Sequence, residues 1–554
     1  MSFLRRLAAL VAYLFVSGAV AVLLWLWLLS DRSGQEKMLT SVPILLGLGV
    51  LAVIALLRVK GPSRRWARPA GFALLVVAVA SPVFFRIKGV TGDFMPVLEY
   101  RFAPKADTTL PLLPGVVPTP VREAEPPPAE TAAEASVPPA TPTPAETSEA
   151  ETPTAVAETT PAPEDVPETS RVSFPQYLGP ARDGRIPGIQ LARDWEAQPP
   201  KLIWKIPVGA GWSGFVVDRG LAITQEQRGG DEMVVAYDLA TGKPRWSHRD
   251  PIRFDSVIAG DGPRATPTIA GRHVATLGST GVLNVLDFRT GRRHWRKDVV
   301  ADNDAENPEW GRSGSPLVHD GKVIVSAGGE GRMLVAYDLG SGERVWRAGS
   351  DGPGYAAPML LTLLGRSQVV AFNRATMTGH DPATGDVLWQ QQWPGPINVA
   401  QPIRIADDLV LGSTGYGIGS KLTRLTPGDN GAISSAYVWE SPRLKAKFTN
   451  PVLHDGFVYG LDDGVLVCLD VQTGERRWRA GRYGHGQTLL VGDTLLVTTE
   501  HGEVVLVDPT PEGHRELTKF TAFDGKTWNP PAVAGKYLLV RSDKEAALYE
   551  LSLR

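Results

Sequence analysis

Asp238–Trp246 reads DLATGKPRW, Asp287–Trp295 DFRTGRRHW, Asp338–Trp346 DLGSGERVW, Asp381–Trp389 DPATGDVLW and Asp470–Trp478 DVQTGERRW. One string recurs: Asp, two residues, Thr or Ser, Gly, three residues, Trp. Successive Asp residues are 49, 51, 43 and 89 apart. The last gap holds two periods, and a degenerate copy inside it ends at Trp439. A worn copy starts at Asp508 without its Trp. A period of this size marks a stacked supersecondary unit.

Each copy is a hairpin turn. The Asp carboxylate accepts backbone hydrogen bonds, and Gly242, Gly291, Gly342, Gly385 and Gly474 supply positive φ where the chain reverses. The residues before the turn (VVAYD, LNVLD, LVAYD, LVCLD) alternate as a strand, and those after it carry the Trp on another strand. Upstream of each turn a small or polar residue and a Pro lead into further strands, as in GSPLVHDGKVIV and TNPVLHDGFVYG. About four strands per unit make a propeller blade, with a Trp wedge of some 200 Å² between neighbours.

The outer strands are marked by Trp204, Trp246, Trp295, Trp346, Trp389, Trp439 and Trp478, and Phe520 falls at the next period. The count is eight blades, with seven the alternative. The chain after Phe520 holds three quarters of a blade, and LIWKIP (Leu202–Pro207) is a strand without one. Pairing the two closes the ring and removes its open edges.

The Asp-x-x-Thr-Gly-x-x-x-Trp string resembles the tryptophan-docking repeat of the pyrroloquinoline-quinone (PQQ)-like eight-bladed propellers. It is similar to quinoprotein dehydrogenases and to the B-type factor of outer-membrane protein assembly. The stretch FPQYLGPARDG (Phe174–Gly184) looks like the opening segment of such proteins. The resemblance implies an all-β fold over residues 173–554 and either a PQQ- and calcium-dependent oxidoreductase or a protein-binding scaffold. Two departures weigh on the enzyme. The resemblance implies an adjacent cysteine pair over the cofactor, and Cys468 is the single cysteine. It also implies an acidic base and a calcium site, neither of which aligns onto this chain.

Residues just before each inner strand face a propeller's central channel. Here they include Trp212, Ser213, Arg264, Thr266, Ser313, Ser315, Tyr355, Asn398, Gln401, Lys447, Phe448, Asn450, Tyr483, His485, Gln487, Lys526, Trp528 and Asn529, with Glu226 and Asp255 beside them. Cations opposite aromatic rings suit an anionic planar ligand such as PQQ. Glu226 with Asn398 or Asn529 offers oxygen ligands for calcium. A wet axial channel needs a polar lining in either case. The cofactor-binding candidates are Trp212, Glu226, Arg264, Tyr355, Asn398, Gln401, Lys447, Gln487, Trp528 and Asn529, and no catalytic residue follows from the sequence. No His spacing suits zinc, and one cysteine excludes an intramolecular disulfide. Gly209-x-Gly211-x-x-Gly214 precedes a strand, not a helix, so it is no dinucleotide fingerprint.

Ahead of the repeat lie two other regions. Residues 1–102 are membrane-like. Leu7–Leu29 is uncharged for 23 residues, enough to span a bilayer, and shorter runs at Val42–Leu57 and Ala70–Phe85 bring the expected transmembrane helices to about three. A cleaved signal peptide is the alternative for the first run, and an interfacial hairpin for the other two. Arg5 and Arg6 precede the first run, and Arg58, Lys60, Arg64, Arg65 and Arg68 crowd the loop between the second and third. The positive-inside rule then puts the N-terminus in the cytoplasm and everything after Phe85 outside, here the periplasmic side of a bacterial inner membrane. Residues 103–172 are Pro, Ala, Thr and Glu and read as a disordered linker. The net charge of −2 sums +8 over residues 1–102, −9 over the linker and −1 over the repeat region. That near-neutral head excludes a nucleic-acid coat. The leading expectation is a membrane-anchored scaffold for an envelope protein partner, and the alternative is the quinoprotein.

Overall fold

The computed structural model describes residues 17, 18, 22, 34–58, 63–113 and 168–554 apart from Pro396. Eight sheets of the described residues close a ring, all antiparallel except that Arg185–Ile186 adds in parallel to Leu490–Val491 of one of them. Blades I to VI run over residues 216–250, 268–298, 317–348, 359–392, 403–441 and 452–482, and blade VII over 487–521. Blade VIII takes its three inner strands from residues 532–550 and its outer strand from Lys201–Pro207, paired antiparallel from Glu545↔Pro207 to Glu550↔Lys201. The eight-blade count and the expected closure by LIWKIP both hold. Arg541, buried in blade VIII, donates to Thr224 Oγ1 at 2.8 Å and to the carbonyls of Gln225 and Gly209 at 2.9 Å, which ties the last blade to the first.

The repeat string is a turn and a lock together. In blade I, Asp238 Oδ1 accepts from the Thr241 amide at 3.0 Å and the Thr241 hydroxyl at 2.9 Å, and Gly242 follows at φ +68°. The Trp of each blade then docks on the turn of the next. Trp204 Nε1 donates to Leu239 O at 2.8 Å, Trp246 to Phe288 O at 3.0 Å, Trp295 to Leu339 O at 2.9 Å and Trp346 to Pro382 O at 3.2 Å. Trp439 does the same to Val471 O at 2.9 Å, and Trp478 to Thr510 O at 2.8 Å in the worn copy. Trp389 is the exception. Blade V replaces the repeat turn by a longer hairpin, Gly419–Pro427 with Ile433–Ser441, and Trp389 bonds Gln368 Oε1 of its own blade at 2.7 Å instead.

The region before the ring departs from expectation. Two helices form where the shorter apolar runs lie, α1 (Gly34–Arg58) and α2 (Arg64–Phe84). No helix among the described residues is long and apolar enough to cross a membrane. The physical reason is length: the runs Val42–Leu57 and Ala70–Phe85 fall short of the ~20 apolar residues that a ~30 Å hydrocarbon layer requires. The helical transmembrane anchor expected of the fold is therefore not found there. Leu7–Leu29 lies almost wholly outside the described residues, as do linker residues 114–167. Directly after α2 comes a two-stranded hairpin, β1 (Phe85–Val90) and β2 (Pro96–Tyr100), then a single helical turn, α3 (Ala106–Thr109). None of this segment was foreseen as part of the propeller.

Candidate functional site

The tip of the β1–β2 hairpin enters the mouth of the channel. It touches loops that precede the inner strands of several blades, which meet only on the ring axis. Gly92 N donates to Glu500 Oε1 at 2.6 Å, and Gly92 O accepts from Lys447 Nζ at 3.0 Å. Val90 O accepts from Lys526 Nζ at 3.2 Å. Asp93 faces His485 Nε2 at 3.2 Å, and Phe94 meets Tyr416 edge-on. Burial alone would raise the Asp93 carboxyl, but the His485 hydrogen bond and charge, with Lys447 beyond, hold it below its ordinary value. Only glycine fits at the tip, since a Cβ on Gly92 would lie 2.0 Å from the His485 ring.

Ion pairs fasten the rest of the segment. Lys88 reaches Asp543 at 3.1 Å, Lys105 reaches Asp255 at 2.8 Å, and buried Asp107 meets Arg253 at 2.6 Å. Arg228 donates to Pro111 O at 2.8 Å. Residues 103–113, which by composition open the linker, thus lie against the propeller.

Below the tip is a cavity of about 140 Å³. Six of the ten sequence candidates line it: Trp212, Arg264, Tyr355, Gln401, Gln487 and Trp528. Its walls are aromatic. Trp212 and Trp528 lie 4.9 Å apart, Phe448 packs on Trp528 at 4.8 Å, and Trp310 stacks on Tyr355 at 5.5 Å. Lys526 Nζ sits 3.9 Å from the Trp528 centroid, and burial pushes its pKa down to about 8. Burial likewise pushes Arg264 down to about 10, where it donates to Ser279 Oγ at 3.2 Å.

The other four candidates are elsewhere engaged. Glu226 is fully buried, binds Arg228 Nε at 2.7 Å and accepts from Gly209 N at 3.0 Å. Asn398 donates to Asn373 O at 2.6 Å and accepts from Thr414 at 2.7 Å. Asn529 donates to the carbonyls of Gly211 and Ser213 at 3.0 and 2.9 Å. Lys447 holds the hairpin tip. Sequence reasoning missed Trp310, Tyr416 and Glu500, and above all the hairpin. A signal for the hairpin exists in FRIKGVTGDFMPVLEY, two alternating runs around a Thr-Gly-Asp turn.

The sequence matches the family described as outer membrane protein assembly factor BamB over residues 193–307, 230–480 and 462–554. The chain belongs to the BamB family. It is 24% identical over 344 residues to BamB of Yersinia pestis, covering 59% of this chain and 75% of that protein. Among solved structures, a europium-containing methanol dehydrogenase is similar at TM-score 0.51 and 13% identity, covering 69% of this chain and 98% of that one. BamB of Moraxella catarrhalis is similar at TM-score 0.45 and 19% identity, covering 63% and 97%. At 13% identity the likeness to the methanol dehydrogenase speaks for the fold alone.

In this BamB-family propeller Glu226, Asn398 and Asn529 do not make a calcium site. Glu226 is neutralised by Arg228 and Asn398 Oδ1 is taken by Thr414 Oγ1, so of the three only Asn529 Oδ1 is without a hydrogen bond. No group of three or more His, Cys, Asp or Glu among the described residues is placed to hold a metal. Cys468 is buried in a strand, and burial raises its thiol to about 11, as suits a core residue.

Proposed function

We propose that the chain is a membrane-anchored, extracytoplasmic propeller that binds polypeptide, a scaffold for an envelope protein partner. One observation carries this reading: the channel mouth already holds a polypeptide turn. Glu500, Lys447 and Lys526 take an amide and two carbonyls of Val90–Gly92 by hydrogen bonds that any peptide turn offers. The relatives named for outer-membrane protein assembly support the same reading, as does the arginine-rich flank of α2 for a periplasmic head. The quinoprotein alternative keeps its aromatic, cation-bearing cavity, but the calcium set of Glu226, Asn398 and Asn529 is not assembled.

Photo-crosslinker placed at exposed Val345 and Val438 on the outer strands, in cells carrying the full chain, tests the reading. Capture of one discrete envelope protein is expected. Saturable quenching of Trp212 and Trp528 fluorescence by PQQ with calcium, accompanied by dye-linked alcohol oxidation, would overturn it.

A further inference from the structure

The β1–β2 hairpin is built inside out for a soluble protein. Its register pairs Phe85 with Tyr100 and Ile87 with Leu98, so these four share one face. They are 48, 48, 50 and 64% exposed. Phe102 meets Tyr100 edge-on at 5.5 Å and stays exposed. On the opposite face Arg86 pairs with Glu99, and Lys88 pairs with Asp543 of the propeller. The polar face thus closes on itself through Arg86 and Glu99 and reaches the propeller through Lys88, while the apolar face stays open. A lone two-stranded hairpin is marginal in water, and burying such a face is what normally stabilises it. An apolar patch of this kind marks a docking surface rather than idle exposure.

Its position selects the occupant. The helix α2 runs into β1 with no intervening loop, Phe85 N still bonding Ser81 O. Arg101 N returns to Phe84 O at 2.7 Å, so β2 ends where the helix ends. The helix itself exposes Phe72 and Leu74. An apolar helix thus leads without a break in the chain into an apolar hairpin face that ends in two aromatic residues, Tyr100 and Phe102. Aromatic rings above an apolar stretch and flanked by arginine suit the boundary between lipid headgroups and acyl chains.

We infer that Phe85, Ile87, Leu98, Tyr100 and Phe102 lie in the lipid interface, so that the hairpin fixes the propeller with its channel mouth against the bilayer. This deepens the membrane anchoring proposed above and rests on it. The anchor then holds the head at the bilayer surface, whatever the reach of the linker.

The test uses the full chain in vesicles of phosphatidylethanolamine and phosphatidylglycerol. Bimane is attached to Leu98→Cys or Ile87→Cys on the apolar face, to Arg86→Cys on the opposite face, and to Val345→Cys on the propeller rim. Buried Cys468 stays unlabelled. Nitroxide lipids should quench the probes at 98 and 87 at least threefold more than those at 86 and 345, and iodide should do the reverse. Equal iodide quenching at all four sites, in a chain that floats with the vesicles, overturns this inference alone. A chain that does not float overturns the anchoring reading as well. A probe at 98 that leaves water only on adding an envelope protein assigns the face to that protein and also overturns the inference.

Discussion

The indole of Trp439 lies flat on Gly474 of the next blade, so close that a Cβ there would meet the ring at 2.6 Å. Gly474 also sits at φ +69°. Two independent demands, a left-handed turn and a bare surface for the neighbour's ring, fall on one atom. Gly474→Ala is expected to destabilise the propeller by about 2–4 kcal/mol through strain and overpacking together. The urea midpoint of the detergent-solubilised chain checks it. Gly365→Ala serves as the control, because it shares a positive φ of +72° but has open space around its Cβ. It should lose only the backbone part.

Ring closure has its own weak point at Arg541. Its guanidinium is buried and donates to three acceptors of blade I and its leading loop. Arg541→Met keeps bulk but leaves those acceptors unpaired, a loss of about 3–5 kcal/mol. Hydrogen exchange should localise the damage to Lys201–Pro207 and its partner Glu545–Glu550, with blades III to V protected as before.

The ring was legible in the sequence because its lock repeats. Each of the five Asp-Thr/Ser-Gly turns receives the Trp of the blade before it, so one short-range string reports a long-range contact five times over. Trp389 shows the limit. It has the full string behind it, yet blade V offers no matching turn, and its indole bonds Gln368 instead. Nothing in DPATGDVLW foretells that. The channel was half legible for a similar reason. Polar and aromatic residues before the inner strands do face the axis, but whether Glu226 points to a ligand or to Arg228 two residues on depends on packing that composition does not carry. The hairpin tip lay hidden because Gly92 and Glu500 are 408 residues apart. The run that precedes it draws the eye to membranes rather than to a plug.

The plug can be expelled without touching the propeller. Gly92→Ala brings a methyl group against the His485 ring and should free residues 85–100 from the channel mouth. Amide exchange at Val90–Phe94 would rise at least tenfold while the blades keep their protection. Acid should act in the same direction. The docked Asp93 carboxyl is held below its ordinary value, so its contribution is complete above the ordinary carboxylate range and is lost as pH falls through the docked value. Asp93→Asn should remove that pH dependence, and exchange at Gly92 measured between pH 3 and 6 shows whether it does.

Glu232 titrates in the opposite sense. It is buried beside the Ser279 amide, which it accepts at 3.1 Å, and burial pushes its pKa up to about 7. The folded chain therefore holds this proton more tightly than the unfolded one. Between the unfolded value of 4.5 and about 7 the folded state binds more protons, so stability falls as pH rises through that window. Above it the ring bears the full cost of a buried carboxylate, on the order of 3 kcal/mol. Glu232→Gln keeps an acceptor for Ser279 N without the titration. The variant should match the native chain near pH 5 and exceed it in urea midpoint at pH 8. Parallel midpoints from pH 5 to 8 would show that Glu232 stays charged in the folded ring, with Arg264 as its counter-ion.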